Sequence, residues 1–515
     1  MQSVSESGDY RVDSDENSDY MYDLISRILK EAPQRAPCSE GERKGSEFVQ
    51  EELKKYCDEV HQEGFTCYPG AFLGWLKLDG VLILISIAVF LFTPFNAWIF
   101  AAIALGLTVL AILCVYEQFL RYEEWTPKFL PYKLRHSQNV IGTLKPEGLV
   151  EKRVIFSGHI DSALRMDLIQ YTRAGYAFII QAGIVALASF AVVYVAQIVV
   201  SLTNADVASV QSIATFFNWI AYLESIIPVV FVLILGRSDK IFFGALRQTN
   251  IFTYIFIIGN AVYAFIVFVM FYPFLFFSTG ILPLVRTIIF LGVVNGIVVV
   301  GLFFFVTNKT VPGVLDNLTA VAISTCIAKI FADWRQNNPE KLPRHTEVCI
   351  TIVGCEEAGM RGSEAFAAQH AAEYNTIDTT CVNFESIADS SLVRIFTKEQ
   401  TTGTDLSQEV YNLLDQCATE LGINHALEEQ PGVSGGTDAA GLVWGGLKAS
   451  SLCGLRYQDY LAYQHTDKDN LDLVNKERRP WGDNGTNWQN RNIRGAMEQS
   501  LCIAIRYLEK KDAET

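Results

Sequence analysis

Over residues 80–116 the chain has no charged side chain at all, and over residues 174–308 such side chains are sparse. Stretches that long without charge exclude a wholly water-soluble fold and imply a part built for lipid. Positive charge is also scarce: 41 Lys and Arg stand against 56 Asp and Glu, for a net charge of −15, and nowhere do basic residues gather into a stripe. A phosphate backbone would find no counter-charge, so a nucleic-acid partner is excluded. The 11 cysteines contain no C-x-x-C pair and follow no framework spacing. They read as reduced thiols rather than a disulfide scaffold, which leaves His and carboxylate side chains to hold any metal. Missing as well is the basic-then-apolar opening of a cleaved export signal. Residues 1–18 carry five acidic side chains and are expected to form a disordered tail.

What is present divides by solvent. Residues 19–71, 121–173 and 309–515 read as three parts of one soluble domain, interrupted by apolar segments at 72–120 and 174–308. Helical periodicity runs through 19–57, where Ser39 followed by Glu42 is the reciprocal capping pattern for two orphan amides. Short apolar runs at 139–144, 153–157, 348–353 and 381–384 alternate with helical patterns. That alternation predicts an α/β domain with a mixed, largely parallel sheet flanked by helices.

The first apolar segment, broken by Thr93-Pro94-Phe95-Asn96, predicts a helical hairpin. Its first arm, residues 80–93, reaches only about 21 Å at ~1.5 Å per residue and spans a bilayer only if Leu76–Leu78 join it, with Lys77 snorkelling. The second segment predicts four spans, at 174–202, 211–236, 250–277 and 281–306. About six spans in all form an inserted all-α transmembrane bundle, and the even count returns the chain to the side it left. The turns near 93–97, 202–210 and 277–281 lack Lys and Arg, whereas Arg121, Lys128, Arg165, Arg173, Arg237, Lys240, Arg247 and Lys309 lie on the other side. That bias predicts a multi-pass integral membrane protein with its soluble domain cytoplasmic.

Five motifs then stand in the soluble parts: Gly158-His159-Ile160-Asp161-Ser162, Asp316-Asn317, Glu356-Glu357, Asn383-Phe384-Glu385 and Gln464-His465-Thr466. Each follows or abuts an expected strand end. Singly each is weak, because a paired Glu is usually a solvated helix face. Five in order, after apolar runs that bury their neighbours, are hard to produce by surface accident. Neutral imidazoles and carboxylates suit zinc, and a shared carboxylate can hold two ions so that both polarise one water. Glu356, beside a candidate ligand, is placed to take that water's proton and pass it to a leaving amine. Asp161 is placed to accept the other ring N–H of His159 and fix its tautomer.

In this order the motifs resemble the co-catalytic dizinc exopeptidases of metallopeptidase family twenty-eight, which includes leucyl aminopeptidase and glutamate carboxypeptidase. The resemblance implies a zinc-exopeptidase-like fold and two Zn2+ per chain. Asp316 would then bridge, His159 and Glu385 complete one ion, Glu357 and His465 the other, and Glu356 serve as general base. The chain departs from the pattern at Glu385, where Asp is common, and at Gln464, where Tyr is common. The oxyanion group is therefore open among Tyr457, Tyr460 and Tyr463. Gly435-Gly436-Thr437-Asp438-Ala439 resembles the related tetrahedral aminopeptidases, in which a domain is also inserted between His-x-Asp and the bridging Asp.

These features lead to the expectation of a zinc-dependent aminopeptidase acting on short or apolar peptides, with a bilayer as its other partner. Carboxypeptidase and glutaminyl cyclase chemistry are alternatives on the same fold. A different class is a transporter or peptide-binding protein with a non-cleaving peptidase-like domain, which would have no use for Glu356. Self-association into a homo-oligomer stays open. His61, His136, His345, His370 and His425 read as ordinary surface or core histidines. Glu224, in the middle of the expected fourth span, reads equally as a functional acid or as a packing contact with Asn260 or Asn295.

Overall fold

In the computed structural model, the described residues are 14–90, 92, 97–172, 175–203, 305–430, 435–454, 463–471 and 493–514. The chain forms two compact units: residues 1–70, 126–165 and 308–515 make the first, residues 71–125 and 166–307 the second.

The first unit opens with α1 (Ser14–Glu31) and α2 (Glu40–Leu53), followed by β1 (Glu59–Cys67). Helix α1 starts inside the stretch expected to be a tail. Lys329 draws it in by binding the Glu16 carboxylate at 2.9 Å, and Asn17 and Ser18 are buried. Ser39 caps α2 as expected, its side chain accepting the Glu42 N–H at 3.1 Å. The reciprocal half of that pattern does not form. Glu42 instead turns inward, to the Cys38 and Cys355 N–H groups, each at 2.8 Å, and the Ser137 hydroxyl at 2.9 Å.

The sheet is built from β1, β2 (Arg135–Leu144), β3 (Lys152–His159), β4 (Thr346–Val353), β5 (Asp378–Ile387), β6 (Val393–Glu399), β7 (Thr404–Asp405), β8 (His425–Gln430) and β9 (Lys448–Gly454). Its order is β1-β2-β4-β3-β5-β9-β6-β7, with β8 beside β6. The centre, β4-β3-β5-β9, is parallel, as is β6 with β8. The pairs β1–β2, β2–β4, β6–β7 and β6–β9 are antiparallel, so the sheet is mixed rather than largely parallel. The central strands carry the long apolar runs, since both their faces are covered. The edge strands β1 and β8 alternate in burial and left no such run to read.

Between β3 and β4 comes α7 (Thr319–Asn337), and between β4 and β5 comes α8 (Arg361–Tyr374). The others are α9 (Gln408–Glu420), α10 (Asp438–Trp444) and α11 (Ile493–Ala513). Helices α7 and α11 pack on each other, on α1 and on β3, β4 and β5, whereas α8 packs with α10, which lies on β3, β5 and β9. A Cβ on Gly158 would come within 2.5 Å of Ala320 Cβ, so Gly158 faces α7 and lets it approach β3 closely. Its neighbour Ser157 donates to Asn383 Oδ1 at 2.9 Å, and Asn383 donates to Ser451, whose hydroxyl meets Thr437, the N-cap of α10. Consecutive strand residues point to opposite faces, so α7 and α10 cover opposite sides of the sheet.

The second unit holds α3 (Ala71–Phe90), α4 (Ala97–Val115) with a π-helical end at Tyr116–Leu120, α5 (Asp167–Thr172) and α6 (Gly175–Thr203). Helix α3 includes Leu76–Leu78, and its 20 residues amount to about 30 Å at ~1.5 Å each. Among the described residues, three helical stretches are long and apolar enough to cross a membrane: Ala71–Phe90, Trp98–Leu120 and Val314–Asn337. The last is 94% buried, against 39% and 33% for the others, and is a core helix of the first unit. The spans expected at 211–236, 250–277 and, except for residues 305–306, 281–306, with Glu224, Asn260 and Asn295, lie outside the described residues, so an inserted bundle of six is not a feature of the described fold.

The chain leaves the first unit and re-enters it along a paired stem. Arg165 N–H donates to the Lys309 carbonyl at 2.7 Å, and Val311 N–H to the Ala163 carbonyl at 2.9 Å. Arg35 locks its inner end. Fully buried, its guanidinium donates to the carbonyls of Ala32, Ile160, Pro312 and Gly313 at 3.0, 2.7, 2.9 and 3.1 Å. Gly313 has φ +62°, and a Cβ there would lie 2.6 Å from both the Asp316 carbonyl oxygen and Ser162 Cβ. Gly422 has a similar φ of +65° with open space around it. Gly313→Ala should therefore destabilise the chain by about 1–3 kcal/mol more than Gly422→Ala, the difference being overpacking. Thermal unfolding of the two variants measures it, and equal losses would show that the stem accommodates the extra carbon.

Candidate metal centre

His159 ends β3, the Glu356–Glu357 turn follows β4 and Glu385 lies near the end of β5, so three of the motifs meet at the carboxyl ends of adjacent parallel strands, where open α/β sheets bind ligands. Asp316 and His465 come to the same place on loops. Asp316 lies in the turn Val314–Leu318, and its peptide with Asn317 is cis.

Asp316 is the shared member. Its Oδ1 lies 3.2 Å from His159 Nε2, and its Oδ2 lies 3.2 Å from His465 Nε2. His465 Nε2 is also 3.3 Å from Glu357 Oε2. Donor atoms of His159, Asp316 and Glu385 lie within 4.8 Å of one another, as do those of Asp316, Glu357 and His465. Glu356 belongs to neither group. Its Oε2 is 3.7 Å from His159 Nε2, and its side chain keeps 13% exposure.

The residues fit metal ions better than they fit one another. His159 Nε2 and Glu357 Oε1 are buried and make no hydrogen bond, although carboxylates and imidazoles surround them. The His159–Asp316 spacing thus lacks hydrogen-bond alignment, as expected of lone pairs aimed at a common point. Asp161, Asp316, Glu357, Glu385 and Asp438 are all buried beside two imidazoles, an excess of negative charge that metal cations in the site would balance. The titration shifts report the same imbalance. Burial lifts the Glu356 carboxyl well above its usual range, with Glu357 and Asp438 adding to the effect. Burial likewise lifts Glu385, helped by Asp316. Burial alone would lower His465, but the Glu357 and Asp316 carboxylates outweigh it and hold the imidazole up at about 10. Asp316 is buried too, yet the two imidazoles hold its carboxyl below the ordinary value.

Asp161 stands beside His159 and also serves a second element. His159 Nδ1 lies 3.2 Å from the Asp161 backbone carbonyl and 3.4 Å from its carboxylate. The carboxylate accepts the N–H groups of Glu356 and Glu357 at 3.1 and 3.0 Å. With Glu42 on the Cys355 N–H, two buried carboxylates hold three successive amides of the turn that presents Glu356 and Glu357.

Of the supporting groups, Asn317, Gln464 and Asp438 stand within the sequence motifs but without assigned roles, and Asp469 was not evident in the sequence. Asp469, fully buried, accepts the N–H groups of Val314, Leu315 and Asp316 at 3.0, 2.7 and 3.2 Å and so fixes the turn that carries Asp316. Its place four residues after His465 is the one signal that could have drawn attention to it. Asn317 donates to Glu385 Oε2 at 3.3 Å and accepts the Ser386 N–H at 3.2 Å. Gln464 donates to Asp316 Oδ2 at 2.9 Å. Asp438 enters from the start of α10, and burial pushes its carboxyl up to about 7 against the pull of His159. Tyr463 is buried, while Tyr457 and Tyr460 lie outside the described residues. The other histidines are elsewhere: His61 and His370 both meet Glu63, at 3.0 and 2.8 Å, and His425 meets Asp415 at 3.0 Å.

Residues 303–480 match the family model Peptidase family M28. No curated protein matches the chain. Among solved structures, the LapA aminopeptidase of Legionella pneumophila aligns at 9% identity over 100% of this chain and 75% of its own, with a TM-score of 0.44. A glutaminyl cyclase from an Acidobacteriales bacterium aligns at 10% identity over 100% of this chain and 99% of its own, TM-score 0.45. The zinc aminopeptidase BSAP of Bacillus subtilis aligns at 10% identity over 96% of this chain and 95% of its own, TM-score 0.43. The family match rests on the sequence itself, and residues 303–480, which supply Asp316, Glu356, Glu357, Glu385 and His465, thus carry the pattern of peptidase family M28.

Proposed function

We propose that the chain is a dizinc metallopeptidase that removes residues from a peptide terminus, in the first instance an aminopeptidase on short or apolar peptides. The observation that carries this reading is one buried carboxylate, Asp316, with an oxygen toward each of two His-carboxylate groups. His159, Asp316 and Glu385 would hold one ion, and Asp316, Glu357 and His465 the other. Two zinc ions bound there would supply Lewis acidity and a water acidified enough to attack at neutral pH.

The remaining work falls to the chain. Glu356 takes the proton released as water attacks the peptide carbonyl, then delivers it to the departing amine nitrogen as the C–N bond breaks. Glu42 and Asp161 keep its turn from shifting by holding the amides of residues 355–357. Asp469 does the same for Asp316 through three amides. The exposed apolar faces of α3 and α4 support anchoring in a bilayer, Leu84, Ile85, Trp98, Ile103 and Leu113 among them, and the Lys/Arg bias of the loops supports a cytoplasmic peptidase unit.

Glu356→Gln should keep both ions while hydrolysis of amino-acid arylamides falls by roughly 10²–10⁴-fold, because an amide neither accepts nor returns the proton. Metal content and turnover on the same preparation check it; near-normal turnover would remove Glu356 from the assignment. Asp469→Ala leaves Glu356 untouched and frees the turn around Asp316. Its zinc affinity should fall by about 10–100-fold, the usual cost of losing a group that orients a ligand. A competition titration against a chelator reads this, and an unchanged affinity would make Asp469 a folding residue only. For the membrane, a single cysteine at position 280 should react with an impermeant reagent from outside, and one at position 240 should not; the reverse pattern would invert the topology.

A further inference from the structure

Three cysteines from distant parts of the chain converge behind the Glu356–Glu357 turn. Cys38 precedes α2, Cys67 ends β1 and Cys355 leads directly into Glu356. Cys38 Sγ lies 3.5 Å from Cys67 Sγ and 3.4 Å from Cys355 Sγ, and all three sulfurs are within 4.8 Å of one another. Cys67 and Cys355 are buried, and Cys38 is partly open to solvent.

We propose that Cys38, Cys67 and Cys355 form a thiolate site for one zinc-class d10 metal ion, separate from the His-carboxylate centre. Around zinc, with Zn–S near ~2.3 Å, tetrahedrally placed sulfurs stand about 3.8 Å apart, whereas a disulfide needs about 2.05 Å. The two spacings from Cys38 Sγ fall within a few tenths of an ångström of the former and far from the latter. Thiolates favour soft and borderline ions over Mg2+ or Ca2+. The backbone is shaped to bring the sulfurs together: Cys38 and Cys355 both adopt φ of +56°, a left-handed conformation uncommon outside glycine. Glu42 holds the amides of both residues, and its Oε1 lies 3.3 Å from Cys355 Sγ, which makes it the oxygen within reach of a fourth coordination position. Partly exposed Cys38 gives the ion a way in.

Two buried thiols and a half-buried one could also be small apolar filler. Filler has no need of sulfur at all three positions, of two left-handed residues or of a buried carboxylate on both their amides. An ion here would tie the segment before α2 and the end of β1 to the turn that presents Glu356 and Glu357. It would act as a structural clamp and take no part in the chemistry.

The test is a Co(II) titration of the full chain, purified in detergent, reduced and stripped of metal. Thiolate-to-cobalt charge transfer gives a near-ultraviolet absorption that His and carboxylate ligands do not produce. The proposal expects that band to saturate at one ion out of three taken up, to persist in Asp316→Asn and to vanish in Cys67→Ser. If Cys67→Ser fails to fold, alkylation of the wild-type chain with and without Zn(II) takes its place, and Zn(II) should protect Cys38, Cys67 and Cys355. No charge-transfer band at saturating Co(II), a band that survives Cys67→Ser, or equal alkylation of the three cysteines with and without Zn(II) overturns the site. A disulfide among the three that re-forms in preference to metal uptake also overturns it. A band with only one ion bound in total would leave the thiolate site standing and remove the dizinc reading instead.

Discussion

A carboxylate taken out of water must find donors or cations, and around the ends of β3, β4 and β5 this chain buries Glu42, Asp161, Asp316, Glu357, Glu385, Asp438 and Asp469 together. They divide into two sets by what satisfies them. Glu42, Asp161 and Asp469 are turned toward backbone amides and fix the loops. Asp316, Glu357, Glu385 and Asp438 gather at the two imidazoles, where Glu357 Oε1, both Asp438 carboxylate oxygens and His159 Nε2 are buried without a hydrogen-bond partner. Sets of the first kind are complete within the protein. The second kind is complete only with a cation, and for that reason the metal reading rests on the unmatched atoms more than on the residue types.

The same loops bear the cost of the insertion. The chain departs just after Asp161 and returns just before Asp316, so two site-bearing segments border a long excursion. The stem pairing at residues 163–165 and 309–311 closes that excursion locally, and Arg35 joins its inner end to the N-terminal segment through four carbonyls. A buried guanidinium among backbone carbonyls is costly unless every donor is used, which makes Arg35 a sensitive fastener. Gly313, where no side chain fits, belongs to the same fastening.

Much of the centre of the fold was legible because parallel strands are apolar on both faces. The runs at 153–157, 348–353 and 381–384 fall inside β3, β4 and β5, and His159 and Glu356–Glu357 are at or just beyond the ends of β3 and β4, with Glu385 two residues before the end of β5. The antiparallel edges were not legible, since half-buried strands such as β1 and β8 resemble polar loops in a single sequence. Apolar length alone also fails to tell a span from a core helix. Residues 314–337, like α3, are long and apolar enough to cross a membrane, and it is the packing of α1, α11 and the sheet around α7 that makes them core. What escaped altogether were pairings across long sequence distances: Glu42 with Cys355, Asp469 with residues 314–316, and the three thiols. Glu42 read as a helix cap because Ser39 is three residues away, whereas of its three partners only Cys38 is local and the other two lie 95 and 313 residues on.

The central claim is that Asp316 is shared between two metal ions. Crystals of the zinc-loaded chain, measured on either side of the zinc absorption edge, test it directly. The account predicts two anomalous peaks about 3.5–4 Å apart, one among His159, Asp316 and Glu385 and one among Asp316, Glu357 and His465. A single peak, or two peaks neither of which touches Asp316, would contradict it.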